Sequence, residues 1–404
     1  MGDIAFLAHR VPYPPDRGDK IRGYHIPEYL RQRKPVHLIA FADDPRDLGH
    51  DAELSARFAS HRIVKRSKSN AVAGLQSLAQ RRAASLAAFD HRDVHRAVAD
   101  LIATHDIDTL YIFSSQMAQY APAGFKGRVV MDFVDMDSAK FAAYADGARF
   151  PVSWVHAREA RLLERHERAV AARADASLFV SEAEAALFRE LTGAQRVHAV
   201  ENGIDTDFYD PRADFTPVAE KGPLIVFTGQ MDYRPNIDAA IWFARDVLPR
   251  IRAAQPDARF AIVGRRPAET VAALAELPGV IVTGEVADVR NWLGAANVAV
   301  APLHLARGIQ NKVLEAMAMA LPVVATPAAA QGIDHDDTIR VADGAEAFGE
   351  VVAALIADPA ASRALGDAAR ARMLERYGWA ARLAPLDTLL GLAQGTDPSE
   401  RAAA

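Results

Sequence analysis

The chain has 404 residues, half of them hydrophobic and a quarter charged, which is ordinary for a globular protein with two or three domains. It contains no cysteine, and this excludes disulfides, thiolate nucleophiles and cysteine-ligated metals. Lys and Arg number 47 against 52 Asp and Glu, and the net charge of −5 argues against nucleic acid as a partner.

Short β-branched runs alternate with longer helical patterns along the chain. In the first half, strands are predicted at 3–9, 36–41, 62–65, 109–113, 128–134, 176–180 and 197–200, with helices near 21–33, 69–82, 91–104, 153–173 and 182–192. In the second half, strands are predicted at 224–229, 259–264, 280–284, 297–302, 321–326 and 338–342, with helices near 236–254, 267–276, 288–295, 309–319, 345–357 and 360–376. This alternation predicts an α/β protein whose parallel sheets carry helices on both faces.

Proline and glycine punctuate residues 211–222, which predicts a boundary between two doubly wound domains. We expect one Rossmann-like domain over 1–212, a second over 213–376, a helix over 377–395 that returns to the first domain, and a disordered tail over 396–404. In such sheets, ligands bind beyond the carboxyl ends of the strands. Functional residues should therefore follow the strands and face a cleft between the domains.

Several common site motifs are absent from the sequence. No Gly-x-Gly-x-x-Gly follows a predicted strand, and there is no Walker A, His-Glu-x-x-His or Gly-x-Ser-x-Gly motif. These absences disfavour a dinucleotide cofactor, a P-loop, a zincin site and a serine hydrolase.

The segment HRVPYPPDRGDK follows the first predicted strand. Gly18 would let the backbone approach a ligand just before a helix begins, and Arg17 and Lys20 flank that position. A helix N-terminus between two cations is suited to an anion. The alternative is a plain β–α turn with solvated charges.

The segment RGIQNKVLEAMA follows the strand at 297–302 and places Gly308 before a helix. Lys312 and Glu315 are three residues apart and share one helix face. Lys312, in the first turn, can act with the helix dipole on a diphosphate, and Glu315 can accept hydrogen bonds from two ribose hydroxyls. The alternative, a surface ion pair, conflicts with the apolar neighbours of Glu315.

Carboxylates follow the strand at 128–134, in the segment DFVDMDS. Asp135 and Asp137 are candidates for a general base or for contacts with a second substrate. A metal-binding pair is the alternative, and Asp205 and Asp207 have the same spacing. Asn202 lies in a tight turn after the strand at 197–200.

A basic stretch runs over residues 61–96. It holds eight Lys and Arg residues around an amphipathic segment, NAVAGLQSLAQRR, against only Asp90 and Asp93. It could contact an anionic bilayer or simply be a solvated face. No run of about 18 apolar residues predicts a membrane span. We expect a cytoplasmic protein that can lie at the inner face of the plasma membrane.

Taken together, these motifs resemble retaining glycosyltransferases of family 4, which have the GT-B fold. The resemblance rests on NGID with Phe208 and Pro211, and on FTGQMDYRPN, IVGRRP, VTGEVADV and KVLEAMAMALPVVA, in the family's order and over nearly the whole chain. The opening segment to residue 25, with DFVDMDS, VSEAEA and RGIQNKVLEAMAMA, is similar to the sugar transferases associated with exosortase (PEP-CTERM) exopolysaccharide systems.

The resemblance implies transfer of a sugar (EC 2.4, hexosyltransferase type) from a nucleotide-diphosphate sugar to an acceptor hydroxyl, with retention and without metal or cofactor. The acceptor would be a lipid-linked glycan. The catalytic candidates are Lys312, Asp135 and Asp137. The donor-binding candidates are Gly18, Asp19, Lys20, Gly229, Arg234, Gly264, Arg265, Gly284, Val286, Arg307, Gly308, Ile309, Gln310, Lys312 and Glu315. The acceptor-side candidates are Arg17, Asp135, Asp137 and Asn202.

The sequence departs from the family pattern in three respects. Arg307 stands where the first Glu of a Glu-x7-Glu pair is usual, and Gln230 and Arg234 occupy the places of the diphosphate-clamping Arg and Lys. Asp135 or Asp137 stands in the loop that usually supplies a His near the reacting sugar. A nucleotide-sugar epimerase of the same fold and a non-catalytic sugar-nucleotide binding protein are the alternative functions.

Overall fold

The computed structural model describes residues 2–15, 18–306 and 309–392, except for the side chains of residues 18, 19 and 70. Contacts divide the chain into two units. The first comprises the residues up to Asn202 together with those from Arg382, and the second comprises Gly203–Ala381.

The first unit is built on a parallel sheet. Its seven strands among the described residues are β1 Asp3–Ala8, β2 Val36–Ala42, β3 Ser60–Lys65, β4 Ile107–Phe113, β5 Arg128–Val134, β6 Ala176–Phe179 and β7 Val197–Ala199. Their order is β3-β2-β1-β4-β5-β6-β7. In the central register Phe6 lies opposite Leu38 on β2 and Tyr111 on β4. The strand order reverses beside β1, where open α/β sheets form their ligand crevice.

Eight α-helices surround this sheet within the described part of the chain up to residue 202: α1 Gly18–Arg31, α2 Asp51–Ser55, α3 Asn70–Gln80, α4 Ala84–Ala88, α5 Arg92–Thr104, α6 Asp137–Asp146, α7 Val152–Arg173 and α8 Glu182–Thr192. Two 3₁₀ turns lie at Pro45–Gly49 and Ser115–Tyr120. The sequence did not predict the 3₁₀ turns or helices α2, α4 and α6. All but α6 are one or two turns long, too short to show a helical period.

The second unit repeats the architecture with a smaller parallel sheet. Its six strands among the described residues are β8 Leu224–Thr228, β9 Arg259–Val263, β10 Val280–Gly284, β11 Val298–Ala301, β12 Val323–Ala325 and β13 Arg340–Val341. Their order is β10-β9-β8-β11-β12-β13. The predicted alternation of parallel strands and helices in both halves is therefore confirmed.

Helices follow each strand of the second unit. They are α9 Arg234–Trp242, α10 Leu248–Ala254, α11 Glu269–Ala272, α12 Arg290–Leu293, α13 Asn311–Ala318, α14 Pro327–Ala330, α15 Ala345–Ala357 and α16 Pro359–Arg376. A π-helical turn at Phe243–Val247 joins α9 to α10, and a 3₁₀ turn at Ala273–Glu276 follows α11. None of the helices in the described residues is long and apolar enough to cross a membrane.

The division between the units precedes the predicted boundary at residue 212. The backbone N–H of Ile204 donates to the carbonyl of Tyr377 at 2.8 Å, and Arg370 forms an ion pair with Asp210 at 2.8 Å. Residues 203–212 thus belong to the second unit, because hydrogen bonds to distant parts of the chain, rather than local punctuation, decide where they pack.

The C-terminal segment forms two short helices, α17 Trp379–Leu383 and α18 Pro385–Leu389, rather than one. Pro385 lacks a backbone N–H and interrupts the predicted helix. From Arg382 the chain belongs to the first unit, where Asp387 accepts hydrogen bonds from Tyr29 at 3.0 Å and from Arg33. The predicted tail over 396–404 lies outside the described residues.

Candidate functional site

A cavity of about 570 Å³ opens at the carboxyl ends of β8 and β9, next to the start of α13. It is lined by Thr228, Gly229, Gln230, Tyr233, Asn236, Val263, Gly264, Arg265, Glu285, Val286, Val289, Gln310, Asn311, Lys312 and Glu315. We call it the second-unit cavity. Its position at the ends of parallel strands is where doubly wound sheets bind ligands.

Lys312 brings an ammonium group to this cavity from the first turn of α13. Its Nζ donates to Asn236 Oδ1 at 2.5 Å and lies 4.5 Å from the centre of the Phe227 ring. Burial lowers the pKa of the Lys312 ammonium to about 8, although the Glu315 carboxylate opposes that shift. An anion entering the cavity would relieve this burial cost, so the site favours a negatively charged ligand.

Glu315 lies one turn further along α13 and is largely buried. Burial raises the pKa of the Glu315 carboxyl. The Lys312 charge and a hydrogen bond from the Tyr209 hydroxyl oppose that shift. A buried carboxylate held by a tyrosine keeps acceptor capacity for a polar ligand. Sequence reasoning missed both Tyr209 and Asn236. The signal for Asn236 was its place at the end of the motif FTGQMDYRPN.

The backbone beneath the cavity approaches itself too closely for side chains. A Cβ on Gly264 would lie 1.6 Å from the carbonyl oxygen of Gly229. A Cβ on Gly229 would lie 3.1 Å from Lys312 Nζ and 2.9 Å from Asn236 Nδ2. Gly264 therefore needs to be glycine for the ends of β8 and β9 to approach each other, and a side chain at Gly229 would crowd Lys312 and Asn236.

The structure brings together seven of the predicted donor-side residues in this cavity: Gly229, Gly264, Arg265, Val286, Gln310, Lys312 and Glu315. Arg234 is not among its lining residues, because its exposed guanidinium donates to Asp238 Oδ2 at 2.8 Å in the next turn of α9. Gly284 ends β10 with a left-handed φ of 68°, and Ile309 packs partly buried against the core. Arg307 and Gly308 lie outside the described residues.

A second cavity, of about 470 Å³, lies in the first unit at the carboxyl ends of β1, β4, β5 and β6. It is lined by His9, Arg10, Arg22, Phe89, Phe113, Ser114, Gln116, Phe133, Val134, Asp135, Asp137, Lys140, Val180 and Asn202. We call it the first-unit cavity. The predicted residues Asp135, Asp137 and Asn202 all line it, and His9 and Arg10, directly after β1, join them.

Asp135 and Asp137 differ in their surroundings. Asp135 is exposed, whereas Asp137 begins α6 and its Oδ2 accepts hydrogen bonds from Ser115 Oγ at 3.3 Å and Gln116 Nε2 at 3.2 Å. Burial raises the pKa of the Asp137 carboxyl, and Lys140 opposes that shift. A carboxyl with a raised pKa in a cavity is suited to accept a proton.

Two residues of the first-unit cavity have left-handed backbones without being glycine. Val134, at the end of β5, has φ 71°, and Ser114, after β4, has φ 80°. A β-branched residue in this region is strained, and such strain persists only where surrounding contacts impose it. Asp132 supplies those contacts, since its Oδ1 accepts from the N–H of Val134 at 3.1 Å and its carbonyl accepts from the N–H of Ser114 at 2.8 Å.

Asp132 belongs to a fully buried network with Arg22 and Tyr111. Its Oδ2 accepts from the Tyr111 hydroxyl at 2.8 Å and pairs with the Arg22 guanidinium at 2.9 Å. Arg22 also donates to the carbonyl of Val200 at 2.7 Å and to Asn202 Oδ1 at 3.0 Å. Sequence reasoning missed this network, although a carboxylate inside the apolar run RVVMDFV signalled it.

The loop after β1 differs from its prediction. Lys20 is buried and its Nζ pairs with Asp47 at 2.8 Å, so its charge secures the 43–47 turn and does not line the first-unit cavity. Gly18 begins α1. Arg17 and the side chain of Asp19 lie outside the described residues.

Among the described residues, no group of three or more acidic or histidine side chains is arranged to hold a metal ion. Asp205 Oδ1 instead accepts from the backbone N–H groups of Asp207 and Phe208, at 3.2 and 2.9 Å, and stabilises a local turn.

Residues 222–358 match the family model described as glycosyl transferases group 1. The chain is 32% identical over 212 residues to α-maltose-1-phosphate synthase of Mycolicibacterium smegmatis, an alignment that covers 46% of this chain and 54% of that protein. The chain thus spans about half the length of the curated relatives it matches. The family match over 222–358 includes every lining residue of the second-unit cavity, and it supports a glycosyltransferase domain in the second unit.

Solved structures resemble the chain over nearly all of its length. The complex of Anabaena HepE with UDP has a TM-score of 0.59 at 14% identity and covers 96% of this chain and 99% of its own. Sucrose-phosphate synthase of Thermosynechococcus elongatus has a TM-score of 0.57 at 17% identity, with full coverage of both chains. These likenesses show the fold, which is that of GT-B glycosyltransferases with two Rossmann-like domains.

Proposed function

We propose that the protein is a retaining, metal-independent glycosyltransferase that moves a sugar from a nucleotide-diphosphate sugar to an acceptor hydroxyl. The observation that carries this proposal is the second-unit cavity, in which Lys312 and Glu315 stand on one helix face above a glycine floor. The group 1 match over 222–358 and the fold support the reaction class. Retention rests on the resemblance to family 4.

Lys312 is the residue that acts on the leaving group. A departing nucleoside diphosphate gains negative charge, and a donor already aimed at it stabilises the transition state more than the ground state. Asn236, 2.5 Å from Nζ, positions the ammonium. Glu315 binds the ribose hydroxyls, and Gly264, Arg265 and Val286 flank the base. The UDP named for the HepE structures supports a nucleotide ligand of this kind.

The acceptor binds in the first-unit cavity, where Asp137 is the candidate base and Asp135 and Asn202 contact the acceptor. The similarity to exosortase-associated sugar transferases supports a lipid-linked glycan as acceptor and a place in exopolysaccharide synthesis. We also propose that the protein contacts the inner face of the membrane through part of residues 61–96.

Nucleotide binding is the first test of this proposal. We expect one of UDP, GDP, ADP and dTDP to raise the melting temperature in EDTA, because a ligand that binds only the folded state stabilises it. Glu315→Ala should abolish that shift, and Glu285→Ala, a matched change at the same cavity, should weaken it less. A shift that requires a divalent metal, or no shift with any nucleotide, would overturn the assignment.

Donor binding should weaken at alkaline pH. Because the pKa of Lys312 is lowered to about 8, its side chain is a charged ammonium below that pH and a neutral amine above it. We therefore expect the affinity for the nucleoside diphosphate, measured by calorimetry, to be constant near neutrality and to fall about tenfold per pH unit above the pKa. Lys312→Arg keeps its charge and should remove this dependence. An unchanged alkaline limb in that variant would assign the titration to another group.

A further inference from the structure

The first unit exposes large apolar side chains on two neighbouring segments. On α3, Leu75 and Leu78 are 70% and 58% exposed, and Val72 lies on the same side. Phe150, between α6 and α7, is 81% exposed, and Trp154 in the first turn of α7 is 55% exposed. Monomeric proteins rarely leave so many large apolar side chains together in water without a partner for them.

Contacts between α3 and α7 place these side chains on adjoining surfaces. Arg158 on α7 donates to both Oγ and the carbonyl of Ser77 on α3, each at 2.9 Å. Trp154 lies one turn before Arg158, and Leu78 is next to Ser77 in sequence. Ala73 and Ser77 are buried, so α3 turns its small residues inward and its leucines outward.

Helices α6 and α7 form a hairpin that supports this surface. The rings of Phe141 and Tyr144 on α6 each lie 5.7 Å from the ring of His156 on α7. Tyr144 is itself half exposed and adds an aromatic side chain of α6 to the exposed apolar ones. The aromatic side chains are therefore held on a packed scaffold.

Basic side chains border the apolar ones. Arg81 directly follows α3, Arg149 precedes Phe150, and Arg161 and Arg165 continue the helical spacing of Trp154 and Arg158 along α7. Of the acids between residues 140 and 165, Asp146 is exposed, Glu159 is buried and Glu164 pairs with Arg168. Aromatic residues beside arginines are the composition that binds the interfacial layer of anionic membranes.

The basic stretch at 61–96 is not itself one continuous face. Arg66 pairs with Asp43, Arg82 pairs with Asp90, and Lys68 donates to the carbonyls of Ala87 and Asp90. Their charges stabilise the unit internally. Helix α3 and Arg81 are the part of that stretch that adjoins the exposed aromatics.

We propose that α3 and the α6–α7 hairpin form a docking surface for an anionic lipid bilayer, with Leu75, Leu78, Phe150 and Trp154 entering the interfacial layer. This proposal deepens the proposed function. It rests on that function in one respect, because a lipid-linked acceptor is the reason for the enzyme to meet a membrane. The occupant is lipid rather than protein because exposed arginines border the apolar side chains and complement anionic headgroups.

Cosedimentation with vesicles tests this surface without donor or acceptor. The full chain should bind vesicles of phosphatidylcholine with about one third phosphatidylglycerol, and bind pure phosphatidylcholine vesicles less. Rising salt should weaken the binding. The double variant Phe150→Ser/Trp154→Ser should bind anionic vesicles at least about tenfold more weakly. Leu191→Ser, a similarly exposed change on α8 of the same unit, should bind as the wild type does.

Three outcomes would overturn the surface. They are absence of wild-type binding, equal binding by the double variant, and self-association through these residues, seen as a concentration-dependent sedimentation coefficient that the double variant abolishes. The nucleotide-induced melting shift is measured on the same variants. If vesicle binding fails but the melting shift persists, the docking surface is wrong and the transferase proposal stands. If the wild type shows no melting shift, the transferase proposal is challenged, and vesicle binding alone decides on the docking surface.

Discussion

Lys312→Ala is expected to lower kcat by about 10²–10³-fold, because it removes the one preplaced ammonium of the second-unit cavity. The lysine is largely buried, its Nζ is fixed by Asn236, and water cannot supply an equivalent charge at that point. Turnover can be measured as release of the nucleoside diphosphate, with the donor identified by the melting shift. The folded state should persist, since alanine is well tolerated in a helix.

Arg234→Ala is the matched control for Lys312. Its guanidinium is 82% exposed and pairs with Asp238 in the next turn of α9, so its removal should change kcat little. Lys312→Arg should recover part of the activity, because the positive charge remains. Recovery should be incomplete, because the longer arginine side chain with its planar guanidinium fits poorly against Asn236. Full activity in Lys312→Ala would exclude this residue from the chemistry. Nucleotide binding without any turnover in the wild type would favour a non-catalytic sugar-nucleotide binding protein.

Asp132→Ala is expected to destabilise the first unit by about 3–5 kcal/mol, because it leaves the buried Arg22 guanidinium without its carboxylate. The change also removes the Oδ1 that holds the N–H of Val134 in its left-handed conformation. The free energy of unfolding can be measured by urea denaturation followed by circular dichroism.

Asp135→Ala, three residues away and exposed, should change the free energy of unfolding by less than about 0.5 kcal/mol. Asp132→Asn keeps the size of the side chain and should fall between the two. Equal stabilities of Asp132→Ala and Asp135→Ala would show that the buried pair contributes nothing to holding the first unit together.

The periodicity of the sequence was enough to predict the strands and the two parallel sheets, because the β-branched runs are buried on both faces and read as continuous apolar segments. It also identified the helix face shared by Lys312 and Glu315, since residues three apart are neighbours on any helix. The carboxylates after β5 were found because strand ends are readable from the pattern, whereas Gly229 and Gly264 were singled out by the resemblance to family 4.

Other features depend on which distant segments meet. Lys20 looked like a free cation, but the fold buries it against Asp47, and Arg234 turns to Asp238 instead of the cavity. The partners Tyr209 for Glu315, Asn236 for Lys312 and Arg22 for Asp132 lie between 76 and 110 residues away in sequence. Local spacing predicts side chains that share an element. Only tertiary packing decides which charges are neutralised inside the protein and which remain for a ligand.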